Sequence, residues 1–450
     1  MALNDDESTY DSYEEKVKEL LGTVDTQMNV LHGTGVITED LYTEYKGAFT
    51  DWGTIGYEIM EEIKAGKEDQ AVDGILNKCT PALNSLVEIS KKLENMYGAA
   101  FDCGIEKIGD NHVIKFYLEA LNDNFIPKEA NQDLLRESVE LLLDIILNPL
   151  VENNAFKSDY VSSEKENIKV LIESKIDNKD AYAFNRCVEE MYKDKPYGLY
   201  KYGYIEDLDK INEKNLYNYY KELIANSKID IFISGALNAE KTAKVVEENE
   251  NIKKLSERDG KRILGGEKSI ESKEIHTIEE KMDITQGKLV MGLDVENINE
   301  EDKFKVAIYN VILGESATSK LFQNVREKAS LAYTARSNYV RQKSNIYIRC
   351  GIEIANYEKA VEIIREQLED MKNGKFTEED IKNAKKYMTS GIESIQDEQD
   401  SEITYYLGQE LSQKLTTFKE YAQKIEEVTA EDVKEVANKI KINTIYFLRN

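Results

Sequence analysis

Leu331-Ala332-Tyr333-Thr334-Ala335, followed after a short polar stretch by Asn345-Ile346-Tyr347-Ile348-Arg349-Cys350, repeats a pattern met earlier in the same chain. The earlier copy is Tyr97-Gly98-Ala99-Ala100-Phe101, an acidic-basic loop, and Asn111-His112-Val113-Ile114-Lys115-Phe116. A helical region follows each copy, then an Asp/Glu-Leu/Val amphipathic helix, then a closing strand. The closing strands are Ile229-Asp230-Ile231-Phe232-Ile233 and Ile442-Asn443-Thr444-Ile445-Tyr446-Phe447. A repeat spaced by roughly 215 to 235 residues is a duplicated domain, not a solenoid. Two such domains that face each other enclose a cleft.

Outward from the first copy, periodicity predicts helices over Leu134 to Leu147, stopping at Asn148-Pro149, over Asn153 to Ser174, and over Ile205 to Asn226. The stretch Lys195 to Gly203 reads as a turn-rich loop, Ile229 to Gly235 as a strand, and Ile284 to Gly292 as the opening strand of the second half. Before Ile89, apolar residues recur at helical spacing, first in Val17, Leu20, Leu21, Val24, Met28 and Leu31. The expected division is a helical hairpin or partial bundle over 1–88, a first domain over 89–246, a linker over 247–273 and a second domain over 274–450.

Bulk properties exclude several classes. Of 450 residues, 32% are charged and the net charge is −27. A nucleic-acid binder needs a basic face that displaces counterions, and no Lys/Arg cluster here provides one. The same charge argues against docking on anionic membranes. The four cysteines lie far apart without a Cys-x-x-Cys pair, which reads as reduced thiols in a cytosolic protein. The first residues are acidic and polar, unlike a signal peptide, and no apolar run is long enough to span a bilayer.

The segment Leu313-Gly314-Glu315-Ser316-Ala317-Thr318-Ser319-Lys320-Leu321-Phe322-Gln323-Asn324-Val325-Arg326-Glu327-Lys328-Ala329-Ser330-Leu331-Ala332-Tyr333 carries a specific likeness. It resembles the Gly-x-x-x-Ser-x-Leu-Phe-x-x-x-Arg-Glu-x-x-x-Leu-Ala-Tyr signature of the insulinase/pitrilysin family, which includes the mitochondrial processing peptidases. Leu93-Glu94-Asn95-Met96-Tyr97-Gly98-Ala99, Asn148-Pro149, Phe156, Glu164-Lys165-Glu166-Asn167, Pro196-Tyr197-Gly198 and Gly203 add to it. The resemblance runs from about Ile89 to Asn450 and is greatest to the bacterial branch of non-catalytic partner subunits. It implies an α+β fold of two homologous domains, each an antiparallel sheet with helices on one face. The first domain is expected to be truncated and preceded by the helical segment. That segment resembles the helical sensor bundles of bacterial chemoreceptors, through Tyr57-Glu58-Ile59, Ala65-Gly66-Lys67 and Ala71.

The family's chemistry needs His-x-x-Glu-His on one helix, which puts two imidazoles on one face for zinc and a glutamate beside them as base. This chain has three histidines, His32, His112 and His276, none within metal-ligand spacing of another. No catalytic residue and no cofactor are therefore assigned, although active relatives use zinc. Glu164 occupies the place of the family's third zinc ligand and reads as a vestige or as an ordinary helix glutamate; the position seven before it is Lys157. The resemblance assigns Arg326 and Tyr333 to substrate contact, since in active relatives the matching pair reaches across the chamber. An arginine can fork onto a carboxylate and a phenol can donate to an oxyanion. Both also fit a structural role.

The expected function is a catalytically silent, peptide-binding or scaffold subunit that works with an active homologue or as a homodimer. Two alternatives stay open here: an active zinc metallopeptidase with a divergent site, and a helical sensing or dimerising module fused to an inert domain.

Overall fold

The computed structural model describes residues 89–255, 268–270, 274–412 and 414–450. The expected helical segment over 1–88, with His32, lies outside the described residues.

In the first half, a helical turn over 89–95 leads into a hairpin of β1 (Ala100–Ile108) and β2 (Asn111–Glu119), in register from Ala100 opposite Glu119 to Ile108 opposite Asn111. The two-residue turn places Gly109 at φ +59, the left-handed geometry that lets a tight hairpin follow the strands' twist. Helix α1 (Leu134–Leu147) has the bounds read from sequence; the Asp133 side chain accepts from the Arg136 amide at its start. Its buried stripe is Leu134, Val139, Leu141 and Leu143.

The next helix begins later than expected. Asn153 and Asn154 take φ values of 50 and 62 and turn a short hairpin between β3 (Val151–Glu152) and β4 (Ala155–Phe156). Only then does α2 (Ser158–Glu173) start. It is followed by α3 (Lys179–Met191), α4 (Glu213–Asn226) and α5 (Ala239–Glu248). The helix expected over Ile205 to Asn226 is divided, because the Asn212 capping box starts α4 afresh. Ile229 to Gly235 is not a strand. Its apolar alternation suits one, but none of the described strands pairs with it, and without a ladder an extended segment is a loop.

The second half carries a five-stranded sheet in the order β5-β9-β6-β8-β7. Its strands are β5 (His276–Lys281), β6 (Gly287–Val295), β7 (Ala332–Val340), β8 (Asn345–Ile352) and β9 (Ile440–Arg449). Only β5 on β9 is parallel. The hairpin of β7 and β8 is the second copy of β1-β2, so the echo seen in sequence is a repeated hairpin. One face of the sheet is covered by α6 (Asp302–Asn310), α7 (Tyr357–Lys372), α8 (Glu378–Asp397), α10 (Phe418–Glu427) and α11 (Ala430–Ala437), with α9 (Gln399–Leu411) following α8. Leu289, Met291, Ile346, Ile348, Ile445 and Phe447 face these helices.

The opposite face is covered by α3 from the first half. Ala183, Cys187, Val188 and Met191 pack on Val290, Tyr347, Tyr446 and Leu448. Val188, Met191, Val290 and Leu448 each contribute about 1.5–3 kcal/mol by leaving water. The helix comes close because Gly292 has no side chain: a Cβ there would lie 2.7 Å from the Met191 sulfur and 3.3 Å from the Tyr347 ring. Polar contacts pin the same seam. Arg186 Nε donates to Glu280 at 3.1 Å, and the Tyr182 and Tyr446 hydroxyls donate to the same carboxylate at 2.5 and 2.8 Å. Burial opposes ionisation of Glu280, but these donors outweigh it and hold the carboxyl below the usual glutamate range.

The stretch read as a linker begins inside structure, since Glu247 and Glu248 end α5 and a short helix spans Glu250–Lys254. Further on, the Ile270 amide donates to Met191 O at 3.0 Å and the Ser269 hydroxyl to Asp294 at 2.6 Å.

Candidate functional site

The signature segment folds where the helical layer meets β7. Helix α6 continues as a π-helical turn over Val311–Glu315, and a second π-helical turn spans Phe322–Lys328. Such wide turns are uncommon and concentrate at functional sites. Most of the signature is explained by packing. Leu313, Leu321 and Val325 are fully buried in the main core, and Ser319 is buried with them. Gly314 is required by contact: a Cβ would stand 2.7 Å from the Ser337 backbone nitrogen on β7 and 2.7 Å from Leu321.

Arg326 and Tyr333 are both exposed, as are Glu315, Ala317, Thr318, Glu327, Lys328 and Ser330 of the same segment. The Arg326 guanidinium lies over the Phe322 ring, 4.5 Å from its centroid, and its Nε is 3.8 Å from Glu327. Tyr333 falls in a β-bulge: Ala332 pairs with Ile352 and Thr334 with Gly351, so Tyr333 has no partner in the register. A bulge re-aims the side chain it frees, and Tyr333 is 66% exposed. Between them Ser330, at φ 52, reverses the chain. The sequence placed Arg326 on a helix and Tyr333 at a strand start; it showed neither the π-helical turn nor the bulge, since both arise from register against neighbours.

Glu164 is exposed in the middle of α2. Lys157, before that helix, reaches Glu152 at 3.2 Å and lies over the Tyr160 ring at 5.3 Å. His112 is exposed on β2 and His276 on β5, in different sheets. His276 opens the edge strand β5, paired with Thr444. Among the described residues no group of three His, Cys, Asp or Glu side chains is placed to hold a metal ion. The donor set that the family's zinc requires is not present among the described residues. Among the described residues no helix is long and apolar enough to cross a membrane.

Comparison with known proteins agrees with this geometry. Residues 210–388 match the family model described as the peptidase M16 inactive domain. A Bacillus subtilis protein named "Probable inactive metalloprotease YmfF" is 32% identical over 364 residues, 79% of this chain and 83% of that protein. The chain belongs to the M16, or insulinase, family. An uncharacterized zinc protease of Rickettsia felis is 22% identical over 68% of this chain and 73% of its own length. Among solved structures, a conserved protein from Enterococcus faecalis superposes with a TM-score of 0.72 at 25% identity, covering 81% of this chain and 85% of that one. An M16 inactive domain from Pseudomonas fluorescens gives 0.64 at 17% identity, over 80% and 82% of the two chains. The α+β fold expected from sequence is therefore the M16 fold. With the inactive-domain match and the likeness to a probable inactive metalloprotease, this M16 protein is a non-catalytic pseudo-peptidase.

Proposed function

We propose that this M16 pseudo-peptidase is a peptide-binding or scaffold subunit, which presents Arg326 and Tyr333 to a peptide and works beside an active homologue or as a homodimer. One observation carries the reading. The signature's packing residues are buried, while its two substrate-side groups face solvent, one lifted out of the ladder by a bulge. A chain that needed the signature only for packing would have no use for an exposed phenol at that place. If it pairs with an active homologue, Arg326 and Tyr333 complete the partner's chamber. The reading sets the protein in the cytosol, which suits its buried thiols Cys187 and Cys350.

The test is direct. Purified protein is assayed for metal content and peptide hydrolysis, and labelled peptides are titrated against wild type, Arg326→Ala and Tyr333→Phe. The expected result is no stoichiometric zinc, no hydrolysis, and binding weakened about tenfold in Arg326→Ala, as loss of a charge-assisted contact implies. Tightly held zinc with hydrolysis, or binding indifferent to both substitutions, overturns the reading.

A further inference from the structure

Three cations gather on the sheet face that α3 covers, beyond the apolar seam and at the helix's N-terminal end. Arg336 on β7 stands directly opposite Arg349 on β8. Lys288 on β6 pairs with Gly351, two residues along β8 from Arg349 and on the same face. Like charges placed opposite each other across a ladder destabilise it. One carboxylate lies among the three: Asp180 is 3.2 Å from Lys288, 3.9 Å from Arg336 and 3.8 Å from Arg349. The two arginine distances are ion-pair distances, too long for hydrogen bonds. Asp180 also sits in the first turn of α3, whose backbone dipole adds further positive charge.

The arginine pair therefore has surplus donors. Arg349 Nε is buried and has no hydrogen-bond partner, and its guanidinium lies over the Phe184 ring at 5.2 Å. Burial and, after it, Arg336 lower the Arg349 pKa, and Asp180 opposes them without cancelling them. The two arginines line a cavity of about 380 Å³ with Glu315, Ser337, Asn338 and Tyr339. Burial pushes the Glu315 carboxyl up and Asn310 Nδ2 donates to its Oε2 at 2.7 Å. On the other side of Asp180, a wider cavity of about 850 Å³ runs past Lys288, with Asp177 and Asp283 on its wall.

We infer that Arg336 and Arg349 form a carboxylate-binding subsite, which takes the free C-terminus or an acidic side chain of a peptide held on this face. A carboxylate fits because it is planar and can accept from both guanidinium forks at once. In a chain of net charge −27 such a pocket is also a local reversal of the field, which favours an anion that reaches it. The inference rests on the peptide-binding reading for its ligand, but the site itself can be tested without a peptide.

The full chain is heated with succinate, against sodium chloride of equal ionic strength, as wild type, Arg336→Gln and Arg349→Gln. Succinate raises the melting temperature of wild type and leaves both variants unmoved. Arg336, at 58% side-chain exposure, supplies the variant that keeps the fold if Arg349→Gln does not. Next, one labelled peptide is titrated in three forms: free C-terminal acid, C-terminal amide, and amide with an internal glutamate. Wild type prefers either acid-bearing form over the plain amide by about tenfold, the size expected of a charge-assisted bidentate contact, and Arg336→Gln removes the preference. Preference for only the first or only the second acid form identifies the source of the carboxylate. A succinate shift equal in wild type and Arg336→Gln overturns the subsite. A succinate effect specific to wild type with no peptide bound in any form overturns the peptide reading and keeps the subsite.

Discussion

Removing the ammonium of Lys343 should cost the fold about as much as a large core truncation. Its Nζ lies 2.6 Å from Asp110 Oδ1, and the two side chains are 1% and 2% exposed. Asp110 is in the turn between β1 and β2, and Lys343 follows β7, so the pair joins the turns of the two repeated hairpins. The Lys343 ammonium also lies over the rings of Tyr192 and Tyr197, at 4.8 and 5.1 Å. In Lys343→Met the apolar stem keeps its volume, but the Asp110 carboxylate loses the ammonium that pairs with it at a site largely closed to water, and Lys107 is left as the nearby cation. Breaking a buried pair from one side costs about 3–5 kcal/mol, against about 0–1 kcal/mol for an exposed pair. That is a large part of the 5–15 kcal/mol by which domains are commonly stable. The assay is urea unfolding followed by circular dichroism, for wild type, Lys343→Met and the double variant Lys343→Met/Asp110→Asn. The single variant loses about 3–5 kcal/mol and the double variant recovers most of it, because the stranded charge is gone. A loss below about 1 kcal/mol in the single variant, or a double variant no better than the single, refutes the assignment of this pair as a buried latch.

Other outcomes follow from geometry already given. Gly314→Ala forces a π-helical turn off the β7 backbone and should destabilise by about 1–3 kcal/mol as overpacking does, read as a lower urea midpoint with unchanged slope. Lys107 donates to the carbonyls of Tyr197 and Leu199, and burial lowers its pKa to about 8. Between about pH 8 and the ordinary lysine value of 10.5 the unfolded chain holds a proton that the folded one has released, so stability from this group rises with pH over that window. Denaturation midpoints of wild type relative to Lys107→Met at pH 7.5 and pH 10 should show that rise, and a flat difference contradicts it. Burial pushes the Cys187 and Cys350 thiols up to about 12, whereas Cys103 is exposed. A thiol reagent followed by peptide mass mapping should therefore leave Cys187 and Cys350 unlabelled in the folded protein.

What was legible in the sequence is what short-range pattern encodes. The hairpin echo, the bounds of α1 and the closing strand β9 all follow from local periodicity and turn residues. The M16 signature was legible because its residues are fixed by one dense core, yet the reasons for Gly314 and for the exposed Tyr333 lie in contacts with β7 and β8 that no local pattern states. Strand β5 was missed because His276-Thr277-Ile278-Glu279-Glu280-Lys281 has a single strongly apolar residue, and its place is decided by pairing with β9. Ile229 to Ile233 erred the other way: its alternation is that of a strand, but a strand exists only with a neighbour. The arginine pair was invisible for the same reason, since Arg336 and Arg349 meet only through the register of β7 on β8.

The crossing of α3 onto the far side of the second sheet ties the two halves into one cooperative body. A polypeptide beginning at residue 274 would expose Val290, Tyr347, Tyr446 and Leu448 to water and would stick to whatever apolar surface it met. Cutting the backbone between residues 255 and 268 is a different matter. The two pieces should stay clasped through α3, co-elute from a sizing column, and part only once denaturant has dissolved the seam between them.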